Sequence, residues 1–421
     1  MLRKIIITFI IVFTSCMVAF TLNILDAANV EAEKTEGIAE ISTKPSIVAL
    51  TTVMNSFRAA LSSELLAAAS FPLGHKESYS WTNTPPSMGG NRGGIPFGSL
   101  SAEQLTLFYK VLDAFLSDDG YTKVSLITKD VETHLSKIRP GFWDPNDYHI
   151  ALFGNPETDG SWGFQLDGHH LALNFLVHGD EVSIVPAFIG SEPATINGIE
   201  VLADERGNAF ALMNSLDANQ REKAIQTGRR RLQVGPGRST DPFLNYDYSD
   251  FVGVGLKASE MNATQKENLR NLIKTYVYNL ETEFADVWMA DIDAGLADTY
   301  FVWIGGTTIN DQIYCRVFNP AVWIEFNNEG GVGTGRGRGG RGGRDQGDRR
   351  SRDDGGSRAG LDHIHSITRS PNGKDYGIFA LNQGPKTLLA HYASADHHKT
   401  MLQLFDYHMV NLQDGKNKET P

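Results

Sequence analysis

The sequence predicts an α+β fold: an antiparallel sheet core with helices at the N-terminus, in the middle and at the C-terminus. Three observations carry that expectation. Strand-like runs come in hairpins with Gly or Asp turns, as in WGFQLDGHHLALNFLVHGDEVSIVPAFIG (162–190) and TYFVWIGGTTINDQIYCRVFNPAVWIEFNN (299–328). Helical periodicity gathers in blocks and does not alternate strand by strand, which argues against a βαβ chain. The 421 residues are 41% apolar and 21% charged, an ordinary globular balance with room for a sizeable core.

The elements follow in order. Arg3 and Lys4 precede an apolar run over 5–25, so residues 1–32 read as an export signal or membrane anchor. The small residues of DAANVEA (26–32) offer a cleavage region. Cys16 offers a lipid anchor, for which Phe13 is a poor fit. Every reading places the protein outside the cytoplasm: periplasmic, secreted or anchored. Residues 33–44 are a polar linker, and 45–413 form a single α+β domain. Residues 46–71 have helical spacing. A Gly/Pro-rich connection with Trp81 embedded follows, of the length that is often functional. Ser101 caps a helix over 102–116, and a second helix over 123–138 follows a break at Gly120. Strands are expected over 148–154, 162–190 and 194–202, with HGDE (178–181) as a turn. Helices are expected over 205–232 and over 262–287, the latter capped by Asn262 or Thr264. Strands return over 299–328, in HIHSITR (363–369) and in DYGIFAL, before a helix over 386–413. No tandem repeat is evident.

Charge narrows the partners. The net charge of −12 argues against broad nucleic-acid binding. Residues 331–358 hold 11 Gly, 8 Arg and 4 Asp, so their charge is 8 − 4 = +4 and the remainder carries −12 − 4 = −16. This segment buries too little to fold and reads as a disordered Arg/Gly-rich loop inserted in the domain, with a tether to anionic polymer as the alternative. The expected partner is a small polar ligand or substrate. No specific nucleic acid is expected, and a membrane only through the N-terminal segment. Only Cys16 and Cys315 are present, so the exported chain keeps one thiol, read as a buried small hydrophobe.

HIH is the sharpest chemical feature. Residues i and i+2 on a strand share a face, so His363 and His365 reach one point. One of the adjacent pair His169 and His170, expected in a strand and therefore on opposite faces, would add a third nitrogen. His169 is favoured slightly. Glu325 is a fourth ligand or general base, and Arg316 orients an anionic group. Three ligands and an open position suit a divalent transition metal: zinc, iron or copper. A cupin site would want Glu four residues past the second histidine, where Arg369 stands. Purely structural histidines are the competing account. A second constellation, Trp81, Arg92, Gln165, Asn174, Gln312, Tyr314 and Arg316, reads as a ligand cleft or as an internal network anchoring the loop. No G-x-S-x-G, H-E-x-x-H, Walker A or dinucleotide pattern occurs.

WGFQLDGHHLALNF, PAFIGSEPA, YFVWIG, WIEFNN and HIHSITR, with WTNTPPSMGGNRGGIPFGSL and AEQLTLFYKVLDAFLSDDGY, resemble the domain of unknown function 3500 family over about residues 50–410. The resemblance implies an often exported bacterial protein with histidine motifs at these positions. It implies no reaction. Two functions follow as expectations. One is an exported metal-dependent enzyme acting on a small polar substrate. The other is a non-catalytic extracytoplasmic binding protein for a sugar, peptide or metal.

Overall fold

The computed structural model describes residues 47–85, 88, 92–157, 160–233, 251–329, 362–371 and 375–377. The segment expected to direct export, the expected linker and C-terminal helix, the Arg/Gly-rich stretch and the end of DYGIFAL lie outside these residues. All described residues belong to one compact unit, Pro45–Pro421. Among them, no helix is long and apolar enough to cross a membrane.

The chain begins with α1 (Ile47–Ala60) and α2 (Ser63–Ala69), then β1 (Ser70–Phe71). The single helix expected over 46–71 breaks because Ser62 turns extended and accepts the Leu65 N–H as a new N-cap. After the Gly/Pro-rich connection come β2 (Ile95–Pro96), α3 (Ala102–Phe115) and α4 (Asp118–Ser125). Gly120 does not break the helix. It lies inside α4, where a Cβ would fall 2.2 Å from the Asn279 carbonyl oxygen; the glycine serves close packing. A π-helical turn, Leu126–Val131, leads into α5 (Glu132–Ile138).

The first meander is β3 (His149–Gly154), β4 (Ser161–Gly168), β5 (Leu171–His178), β6 (Glu181–Ser183) and β7 (Ala187–Ser191). The strand expected over 194–202 is only a hairpin of two-residue strands, β8 (Thr195–Ile196) and β9 (Ile199–Glu200). The helix expected over 205–232 divides into α6 (Ala203–Ser215) and α7 (Ala218–Ala224), because Asp217 and Gln220 form a capping box. Then β10 (Leu256–Lys257) precedes α8 (Ala263–Val277), capped by Asn262, and α9 (Thr282–Ala294). The second meander is β11 (Tyr300–Gly305), β12 (Ile313–Asn319), β13 (Val322–Glu329) and β14 (His363–Arg369).

Twelve of these strands form one sheet with the order β1-β3-β4-β5-β7-β14-β13-β12-β11-β10, with β2 beside β3 and β6 beside β5, and β8–β9 form a separate two-stranded sheet. Pairing is antiparallel except at β1, which runs parallel to β3. The order is palindromic about the β7–β14 pair, and the elements repeat with it. A two-residue strand, a 3-10 turn and a helix with a capping box (Ser101/Gln104, then Asn262/Gln265) precede a further helical stretch and a three-strand meander in each half. Gln165 faces Asn174 across β4–β5, and Arg316 faces Glu325 at the matching place across β12–β13. The sequence hid this duplication because the halves share element order and cap chemistry, not a residue pattern.

Both faces of the sheet are covered. Leu171, Leu173, Phe175, Ile324, Phe326 and Ile364 pack under the helices in the main core. Ala172, Phe188, Trp323 and Ile367 belong to a smaller cluster on the other face, with Trp81 from the Gly/Pro-rich connection. His363 and His365 alternate with Ile364, so they project to this second face.

Candidate metal centre

His169 and His170 are not in a strand. They are the two-residue turn between β4 and β5, and the alternation rule therefore does not apply to them. His170 has φ 63, the left-handed region that favours Gly or Asn. The turn is held from three sides. Tyr148 Oη donates to the His169 carbonyl at 2.9 Å, the His170 N–H donates to the Asn83 carbonyl, and Gly190 N–H donates to the His170 carbonyl at 2.7 Å.

This geometry brings both turn rings to the same side, stacked with centroids 3.8 Å apart. His170, not His169, joins His363 and His365: one ligand nitrogen from each lies within 4.8 Å of the others. His170 Nε2 and His363 Nε2 are 2.8 Å apart. Nitrogens bound to tetrahedral zinc at about 2.0–2.1 Å are about 3.3 Å apart, so this pair would part by about half an ångström and the wider gaps, up to 4.8 Å, would close around one ion. Gly190, opposite His365 in the register, makes the space. A Cβ there would meet His365 Cδ2 at 2.8 Å and His170 Cδ2 at 3.4 Å.

Burial pushes His170 and His365 well below the usual histidine pKa, and the neighbouring imidazoles push the same way. Both rings are therefore neutral at pH 7, the form that ligates metal. His170 is buried, while His363 and His365 are half-buried. Glu192 Oε2 lies 3.7 Å from His363 Nδ1, near the ring edge away from His170 but beyond hydrogen-bond length.

His169 turns its Nδ1 to Glu132 Oε2 at 2.8 Å. Glu132 opens α5 directly after the π-helical turn. Sequence reasoning missed Glu132, Glu192 and Gly190. Glu132 lies 37 residues before His169, with no motif connecting them.

Glu325 and Arg316 occupy a separate place. Glu325 accepts from Tyr314 Oη at 2.9 Å and from the Gln233 N–H at 2.6 Å. Arg316 lies over the Phe251 and Trp323 rings. Neither is in the three-histidine group. The rest of the second constellation divides into internal networks. Arg92 binds Asp167, Asp147 and the Thr82 and Thr84 carbonyls, tying down the Gly/Pro-rich connection. Gln165 donates to Asn174, which donates to the Pro186 carbonyl. Cys315 is buried, and its thiol is pushed up to about 12 by burial first and by Glu325 second.

A family model described as "Protein of unknown function (DUF3500)" matches residues 43–378. The chain belongs to the DUF3500 family. No curated protein and no solved structure matches it. For this DUF3500 chain, chemistry must therefore be read from the site.

Proposed function

We propose that this DUF3500 protein is an exported, metal-dependent enzyme acting on a small polar substrate. The observation that carries the reading is the convergence of His170, His363 and His365 on one point. Three converging imidazoles with two half-buried members leave a coordination position facing outward, the arrangement of a catalytic zinc, iron or copper centre. A metal held there would polarise a substrate oxygen or lower the pKa of a bound water. The protein's own part is to place the ligand residues, His363 and His365 on β14 and His170 on the anchored turn. The palindromic fold adds support. The turn matching His169–His170 in the second half is Pro320–Ala321, with Trp288 Nε1 donating to the Ala321 carbonyl. The architecture therefore forms without histidines at this turn.

The apolar N-terminal run supports export, with a membrane involved only through that segment. The net charge supports a partner other than nucleic acid. A second reading is a non-catalytic binding protein using the same cluster to hold a metal or a sugar or peptide. It is favoured by Glu325 and Arg316, expected as base and anion guide, being held in a network of their own.

Elemental analysis of the full chain beside a His363→Ala/His365→Ala double variant tests the metal. Near-stoichiometric zinc, iron or copper in the parent, lost from a still-folded variant, is the expected result. No metal in the parent after reloading with each ion would end the metalloenzyme reading.

A further inference from the structure

Ligand histidines ordinarily donate their second ring N–H to a carboxylate or carbonyl, which fixes the ring plane. His363 has the Glu192 carboxylate 3.7 Å from its Nδ1, a nearby charge beyond hydrogen-bond length. His170 Nδ1 is buried without a hydrogen-bond partner among the described residues. His170 also sits at φ 63, a backbone conformation that costs a histidine free energy. Its Nε2 meets His363 Nε2 at 2.8 Å, the edge an ion would take, so with an ion bound a further contact must hold the ring.

The neighbouring side chains supply it. Trp143, His169 and His170 form a continuous stack. Trp143 and His169 are 6.2 Å apart with planes 26° apart, and His169 and His170 are 3.8 Å apart at 29°. Phe142 meets the Trp143 ring edge-on at 4.9 Å. The middle ring is fixed by Glu132 at 2.8 Å, and Glu132 is 1% exposed. The π-helical turn just before it changes the helical phase and sets where this carboxylate points.

We propose that Glu132 is a positioning residue for the metal centre, acting through His169, whose stacked ring replaces the missing hydrogen bond in holding ligand His170. The inference rests on the metal reading above. It assigns functions to both adjacent histidines: one binds the ion and the other holds the first in place.

The test uses the full chain, with zinc affinity measured by competition against a chromophoric chelator and the absorption spectrum of the cobalt(II)-loaded protein as a report on ligand geometry. Glu132→Ala and His169→Ala are expected to weaken zinc binding by about 10–100-fold, the usual effect of losing an outer-shell partner, and to alter the cobalt spectrum. The double variant Glu132→Leu/His169→Phe keeps an aromatic stack without a stranded carboxylate, and it is expected to recover most of the affinity. Parental affinity and spectrum in both alanine variants would overturn the proposal while leaving the metal site standing. A parent that takes up no metal would overturn both. If the alanine variants fail to fold, Glu132→Gln substitutes a neutral hydrogen bond for a charge-assisted one about twice as strong. A weakening of a few-fold is then expected, and unchanged affinity sinks the idea.

Discussion

His170 combines two demands that usually exclude each other, a left-handed backbone and a bulky buried ring. Such residues cost about 1–3 kcal/mol and cluster at functional sites. Asn tolerates φ > 0 and has no imidazole, so His170→Asn is expected to fold normally by near-UV circular dichroism and to lose the metal. Gly190 is the complementary case. An added methyl meets two imidazole rings and, at 2.8 Å, the Ile364 carbonyl oxygen, a backbone atom with little freedom to move. Gly190→Ala is expected to lower stability by about 1–3 kcal/mol, as overpacking does, and to weaken metal binding. Urea unfolding and chelator competition would check both. Cys315 has the opposite character. A buried thiol raised to about 12 is not a thiolate at pH 7. It is expected to ignore a thiol-reactive dye in the native protein and to react once the chain is unfolded in urea.

At the level of elements, caps and buried pairs set the boundaries that the sheet depends on. The capping boxes at Ser101 of α3 and Asn262 of α8 satisfy N–H groups at matching places in the two halves. Ser101→Ala and Asn262→Ala should each cost about 1 kcal/mol by thermal unfolding. The α4–α6–α8 junction is more sensitive. Lys123 of α4 reaches Glu205 of α6 at 2.6 Å and Asn279 just beyond α8 at 2.9 Å. The Glu205 carboxyl is buried, and burial holds its pKa above the ordinary value despite Lys123. Removing one member of a buried pair costs about 3–5 kcal/mol because the other charge is stranded. Lys123→Met is expected to show that loss, and the double variant Lys123→Met/Glu205→Leu to recover much of it.

Across the molecule, a single core runs under both halves. Phe108, Phe115 and Phe164 of the first half belong to the same cluster as Leu272, Trp303 and Phe326 of the second. The central β7–β14 pair joins residues of the first meander to residues far along the chain, so neither half completes its sheet alone. Unfolding is therefore expected to be one transition, with far-UV circular dichroism and tryptophan fluorescence superimposing in urea; two separated transitions would contradict a shared core. The three-histidine cluster follows from the same arrangement. One meander supplies the turn histidine and the other supplies the strand histidines, and the β7–β14 seam brings them together.

The sequence by itself determined the α+β class, most strands of both meanders, the HGDE turn, the Ser101 and Asn262 caps and the shared face of His363 and His365. Each is a local rule: a period of two, a cap spacing, a turn composition. Only the tertiary structure decided the rest. Which of His169 and His170 joins the cluster depended on both being turn residues with a backbone bonded to Asn83, Tyr148 and Gly190, none of them nearby in sequence. Glu325 and Arg316 carried the right chemistry, but cross-strand register placed them in a network with Tyr314 and Gln233. The duplication was invisible because the two halves conserve strand order and helix caps while their residues differ. Local propensity fixes what each segment becomes. Which side chains meet depends on long-range pairing, and that pairing assembled the three-histidine cluster.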